Sequence, residues 1–160
     1  MTLPDYTLAY TTNNSGTSLA TIDPSTNTFV DLGSFRDEND LTTPLSAVFG
    51  LAYGKEGDIY VSLQYGAIGL SPQIWNVMLP PVSECGTDIV KLSKIGTGLG
   101  TYNGTAIDAH AMDIGPDGQM YVLDLSGNLF TADLATGSAT FVVATNPVTS
   151  FAMDIVFDAA

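Results

Sequence analysis

The sequence predicts an all-β fold built from repeated four-stranded units. Three observations lead there. A strand–turn–strand element occurs twice in full and a third time in part, a second one occurs twice, and apolar or β-branched runs flank each turn.

The first element is clearest in FGLAYGKEGDIYV (49–61) and HAMDIGPDGQMYV (110–122). Set together, Gly54 falls on Gly115, Glu56 on Asp117, Gly57 on Gly118, Tyr60 on Tyr121 and Val61 on Val122. FAMDIVFDAA (151–160) repeats the start of the second copy, with Ala152, Met153, Asp154, Ile155 and Asp158 on identical residues. Gly-Lys-Glu-Gly and Gly-Pro-Asp-Gly are turn chemistry: Pro presets φ, the acid bonds locally, and Gly accepts positive φ. The second element is SLATIDPSTNTFVDL (18–32) over NLFTADLATGSATFV (128–142). Leu19, Asp23 and Thr26 fall on Leu129, Asp133 and Thr136. Each reads as a strand, an Asp-led turn with a left-handed-tolerant Asn or Gly near its end, and a strand.

Joined, the elements give a four-stranded antiparallel unit. The middle copy is complete, with strand a over 109–114, b over 119–125, c over 128–133 and d over 139–144. Such a unit matches one blade of a β-propeller. The expected blades are 48–105 (with an insertion between b and c), 109–145, and 151–160 plus 6–35. In the split blade, 151–160 supply strand a, and YTLAYTT (6–12), SLATID (18–23) and TFVDLG (28–33) supply b, c and d. The chain is thus expected to form one half-ring domain over 1–160, with its head completing the blade that its tail opens.

Three blades do not close a ring, since propellers hold roughly four to eight. Each blade must also bury both faces. The expectation is a C2 homodimer forming a six-bladed ring, with 151–160 of each copy pairing with 6–12 of the other. Two other readings stand: a piece of a longer six- or seven-bladed chain, and a monomeric two-sheet sandwich.

The pattern Gly-Leu-Ala…Gly-x-Glu/Asp-Gly-x-Ile/Met-Tyr-Val, followed by the Leu-x-x-Ile-Asp-Pro-type strand and hairpin, resembles the NHL and SMP-30-like bacterial propeller repeats. The resemblance covers nearly the whole chain and implies the architecture. It implies no single activity, because those families include lactonases, lyases, sugar binders and scaffolds. No catalytic set carries over, because the inner-strand positions used in the enzymatic members are here mostly small or apolar.

Seventeen acids against Arg36, Lys55, Lys91 and Lys94 give a net charge of −13. That sign repels phosphate backbones and anionic headgroups, which argues against nucleic acid as a partner. Cations, neutral sugars or basic proteins suit it, and the charge also keeps an apolar strand-rich chain in solution. A hydrophobic content of 45% argues against disorder. Cys85, the single cysteine, allows no intrachain disulfide. No run reaches the roughly 18 apolar residues of a spanning helix, so membrane insertion is not expected. MTLPDYT lacks the basic and apolar regions of a secretory signal. The compartment is open; an extracellular, surface or virion setting is weighed ahead of the cytoplasm. Asn13-Asn14-Ser15 and Asn103-Gly104-Thr105 fit the glycosylation sequon, a pattern short enough to arise by chance.

In a propeller the a–b and c–d turns share one rim, and the b–c and d–a connections share the other, which usually holds the site. The long segments 33–48, 65–86 and 101–109 are expected to converge on that second rim. Trp75 lies in the 65–86 segment, and Trp and Tyr favour interfaces and sugar-stacking surfaces. Trp75, Tyr65, Tyr102 and His110 are therefore candidate ligand-binding residues. The alternative for Trp75 is a ring folded back to plug the axis or cover a blade. Asp37, Glu38 and Asp40 form an oxygen-rich loop suited to Ca²⁺, although the spacing is not that of an EF-hand. A solvated charged loop is the plainer reading. His110 follows Asp108 near the axis, where the pair suits acid–base or metal chemistry. A lone His makes a poor transition-metal site, and Phe49 and Phe151 at the equivalent positions say that this position packs. Asp113 and Asp154 alternate with apolar residues of strand a, either around a central cation or bonded to inner-strand amides. No Gly-x-Ser-x-Gly elbow, phosphate loop or Cys-x-x-Cys is present. The functional expectation is a non-enzymatic binding or structural module that recognises a protein or glycan through its long-loop rim. The alternatives are a metal-assisted hydrolase or lyase using Asp108, His110, Asp113 and Asp154, and a virion or cell-surface building block.

Overall fold

A computed structural model describes residues 9–13, 16–54, 57–63, 72–79, 89–144 and 155. Among these the chain is all β, with no helix. The first sheet contains β1 (Ala9–Asn13), β2 (Ser18–Asp23), β3 (Thr28–Asp37), β4 (Asp40–Pro44), β5 (Val48–Tyr53), β6 (Ile59–Leu63), β7 (Gln73–Met78) and β8 (Ile89–Lys94). A short hairpin, β9 (Thr101–Tyr102) and β10 (Thr105–Ala106), leads to the second sheet. That sheet is a meander of β11 (Ala111–Ile114), β12 (Met120–Leu123), β13 (Asn128–Ala132) and β14 (Ala139–Ala144).

The first sheet runs β1-β2-β3-β8-β7-β6-β5, with β4 folded back on β3. Its neighbours are antiparallel except β3 and β8, which pair parallel from Ser34↔Ile89 to Asp37↔Leu92. The sheet curls until β1 approaches β5, leaving a nearly closed barrel. At the seam the Tyr10 amide donates to Tyr53 Oη at 3.1 Å, and the two rings lie 5.9 Å apart. Close by, the Val48 amide donates to the Gly16 carbonyl at 3.1 Å. A Cβ on Gly16 would lie 2.1 Å from Val48 O, and its φ is +75°, so the approach needs glycine.

Two cores follow from the strand periodicity. Leu19, Phe35, Val61, Leu63, Trp75, Val90 and Leu92 fill the barrel. Ala52, Tyr60 and Ile74, on its outer face, pack against Met112, Val122 and Phe130 of the second sheet. Strand β6 is the wall between them: Ile59, Val61 and Leu63 face the barrel, Tyr60 faces the other core, and the strand is buried throughout. Ser62 Oγ, also buried, donates to Ala109 O at 2.7 Å and accepts from the Gly50 amide at 2.9 Å. The polar atom is thus satisfied between the sheets.

The repeats reappear as hydrogen bonds. The Gly54 amide donates to Asp58 O at 2.8 Å and the Gly57 amide to Gly54 O at 3.1 Å. In the second copy, Gly115 donates to Gln119 O at 2.9 Å and Gly118 to Gly115 O at 2.9 Å. Gly57 and Gly118 both have left-handed φ, +91° and +83°. The Asp-led turns match as well. Asp23 Oδ1 accepts from the amides of Ser25 at 2.8 Å and Thr26 at 3.3 Å. Asp133 Oδ1 accepts from those of Ala135 at 2.7 Å and Thr136 at 3.3 Å. Asn27 (φ +53°) and Gly137 (φ +76°) close the two turns in the expected left-handed region. Even the strand irregularities correspond, with a bulge after Leu19 in β2–β3 and after Leu129 in β13–β14.

Two expectations about connections are corrected. Residues 33–48 are not one long loop: β3 runs on to Asp37, because Phe35 is fully buried and β8 offers a parallel partner, and a tight turn leads into β4. Residues 65–86 are not one insertion either, because β7 occupies 73–78 and is paired on both sides with β6 and β8. The expected pairing of 151–160 with 6–12 of a second copy falls largely outside the described residues.

Candidate functional site

The segment after β8 runs over the second sheet. The Ile107 amide donates to Gly100 O at 3.1 Å, and the Ala139 amide to Leu99 O at 3.0 Å. Asn103 (φ +50°) and Gly104 (φ +80°) make the two-residue turn of β9–β10, as an Asn-Gly pair favours. Facing this hairpin is the β12–β13 turn. Asp124 Oδ1 accepts from the amides of Ser126 and Asn128, both at 2.8 Å, and Oδ2 accepts from Asn128 Nδ2 at 2.9 Å. Gly127 (φ +78°) completes that turn.

Between the hairpin and the turn lies a half-open cleft of about 770 Å³. Its walls carry Tyr102, Asn103, Thr105, Asp108, Asp124, Ser126 and Asn128. Tyr102 is held firmly: Phe141 stacks on it at 4.5 Å and 8°, and Phe130 meets it edge-on at 5.5 Å and 80°.

Of the expected site residues, the cleft brings together Tyr102 and Asp108. Tyr65 and Asp154 lie outside the described residues. Trp75 is not on a loop; it sits in β7 with its ring 1% exposed in the barrel core, so its face is closed to a ligand. His110 stacks on Phe49 at 5.3 Å and 22°, pairing the two residues that the repeat makes equivalent. Its Nδ1 is buried with no hydrogen-bond partner, a cost that the stacked contact with Phe49 accompanies. Asp113 Oδ1 accepts from the next amide, that of Ile114, at 2.8 Å.

The acidic loop is two local turns and one tie to a neighbouring strand. Asp37 Oδ1 accepts from the Asn39 amide at 2.8 Å and from Asn39 Nδ2 at 3.2 Å. Asp40 Oδ1 accepts from Thr42 Oγ1 at 2.6 Å and from the amides of Thr42 and Thr43. Glu38 Oε1 accepts from Ser93 Oγ at 2.5 Å, tying the turn to β8. The Thr42 hydroxyl, more than any other partner, holds the Asp40 carboxyl well below its usual range. Among the described residues no three His, Cys, Asp or Glu side chains converge on a metal-sized space. Asp124 and Asn128 escaped sequence reasoning because their turn is short and looks like any other Asp–Ser–Gly turn. They gain meaning only from their position opposite the β9–β10 hairpin. No protein-family model matches the chain, and no curated protein matches it.

Proposed function

We propose that the protein is a non-enzymatic binding module whose ligand, a protein segment or a glycan, seats in the cleft beside Tyr102. The observation that supports this is the cleft's origin: a d–a connection and a b–c turn meet there, on the rim where a repeat scaffold presents its variable segments. For the hydrolase or lyase alternative, Asp108, His110 and Asp113 form no three-residue cluster among the described residues, and Asp154 lies outside them. Glycan-array screening of the protein and of Ser126→Trp, which fills the cleft from an exposed turn, tests the reading. Ligands kept by the wild type and lost by the variant are expected; identical profiles with bound ligands overturn it.

A second reading concerns assembly. Taken as three blade-like units, β1–β3, β5–β8 and β11–β14, of which the first two are joined edge to edge through β3 and β8, the chain leaves apolar surface at two ends, on β14 and on β3. At one end Leu123, Leu129 and Val143 align in register across the sheet, with Val143 48% exposed. At the other, Phe29 stands opposite Ile22 and is 51% exposed. A C2 homodimer sets each end against the opposite end of its twin, closing six blades and offering 151–160 of one copy a place along 6–12 of the other. A native mass of twice 16.8 kDa is expected by light scattering, and a monomer at every concentration tested overturns it.

A further inference from the structure

Resting on the cleft-binding reading, we infer that the cleft beside Tyr102 takes a small neutral saccharide. Its volume, about 770 Å³, lies in the range of roughly 300–1,000 Å³ typical of small-molecule sites. The walls offer what an uncharged ligand rich in hydroxyl groups pairs with. Asp108 presents a carboxylate to donor hydroxyls, a charge-assisted contact. Asn103 brings an amide that donates and accepts at once, and Thr105 and Ser126 bring hydroxyls. Asn128 is already oriented by its bonds to Asp124, so this wall is set before a ligand arrives. Tyr102 adds an aromatic edge that Phe130 and Phe141 keep from turning.

Charge selects against the other classes. Among the described residues no cation lines the cleft, Arg36, Lys91 and Lys94 all lying elsewhere, and the chain carries −13. A phosphorylated, sulfated or uronic ligand would meet the acidic Asp108 and Asp124, with no cation in the lining among the described residues. A bare divalent cation needs converging oxygen ligands, and among the described residues no three acidic or histidine side chains converge.

Calorimetry on the whole chain with maltose, cellobiose and lactose as probes, and with glucuronate and CaCl₂ as controls, tests the assignment. At least one disaccharide is expected to bind. Asn103→Gly, which keeps the left-handed turn, and Asp108→Asn should each weaken binding by about tenfold. Ser126→Trp should abolish it, with melting temperatures unchanged in all three variants. Heat from glucuronate or CaCl₂ alone, no heat from any disaccharide, or equal disaccharide affinity in wild type and S126W overturns the saccharide assignment. The broader binding reading fails separately, on array ligands that ignore S126W.

Discussion

Gly96 shows how far single residues are committed. A Cβ there would lie 1.7 Å from Thr136 O, and one on Gly137 would lie 2.4 Å from Ile95 O. The turn after β8 thus meets the turn between β13 and β14 backbone to backbone. Gly96→Ala must push those turns apart and also hold φ at +58°, at a cost of about 3 kcal/mol or more. Gly57→Ala meets nothing within 4 Å and bears only its left-handed φ, so about 1 kcal/mol is expected. Urea denaturation of both variants measures the difference. Asp40 sets a pH dependence. Its folded-state pKa is depressed below the ordinary 3.8, chiefly by the Thr42 hydroxyl. Its contribution is therefore fully present above about pH 4 and lost as pH falls towards the folded value. Asp23, held down first by the Ser25 hydroxyl, acts in the same direction. The urea midpoint of Asp40→Asn should fall less steeply than that of the wild type between about pH 5 and about pH 2.

At the scale of elements, the sequence was legible where structure is local. Gly54–Gly57 and Gly115–Gly118 form the same turn because Gly, acid and Gly fix it within four residues, and the two Asp-led turns repeat for the same reason. All four strands of the second sheet fall inside their expected ranges. What could not be read was tertiary. Strand β7 hides in the stretch QIWNVM because it is covered on both sides, so apolar and polar residues do not alternate along it. The extension of β3 past Gly33 depends on β8, more than fifty residues later, which no local pattern announces. Tyr102 and Asp108, named from sequence as ligand-binding and metal candidates, both line the cleft, whereas Asp124 and Asn128 drew no reading, because only the fold brings their turn opposite the hairpin. The placement of β7 has a direct check. Trp75→Ala should cost about 3–5 kcal/mol by urea denaturation, as a core ring does, whereas an exposed-loop tryptophan would cost about 0.5 kcal/mol or less.

For the whole molecule, assembly and stability can be separated experimentally. Val143→Lys changes an exposed position, so the melting temperature should hold while the native mass halves if the outer sheet face closes the ring. Because each copy carries −13, raising NaCl should tighten the proposed dimer by screening its self-repulsion. The wall formed by β6 has a dynamic consequence. Neither layer can come apart locally without stripping cover from residues 59–63, so their amide protons should exchange with deuterium only when the entire chain opens. The barrel and the meander would then share one cooperative transition instead of melting in sequence, and the slowest-exchanging amides would mark β6 as the molecule's kinetic keystone.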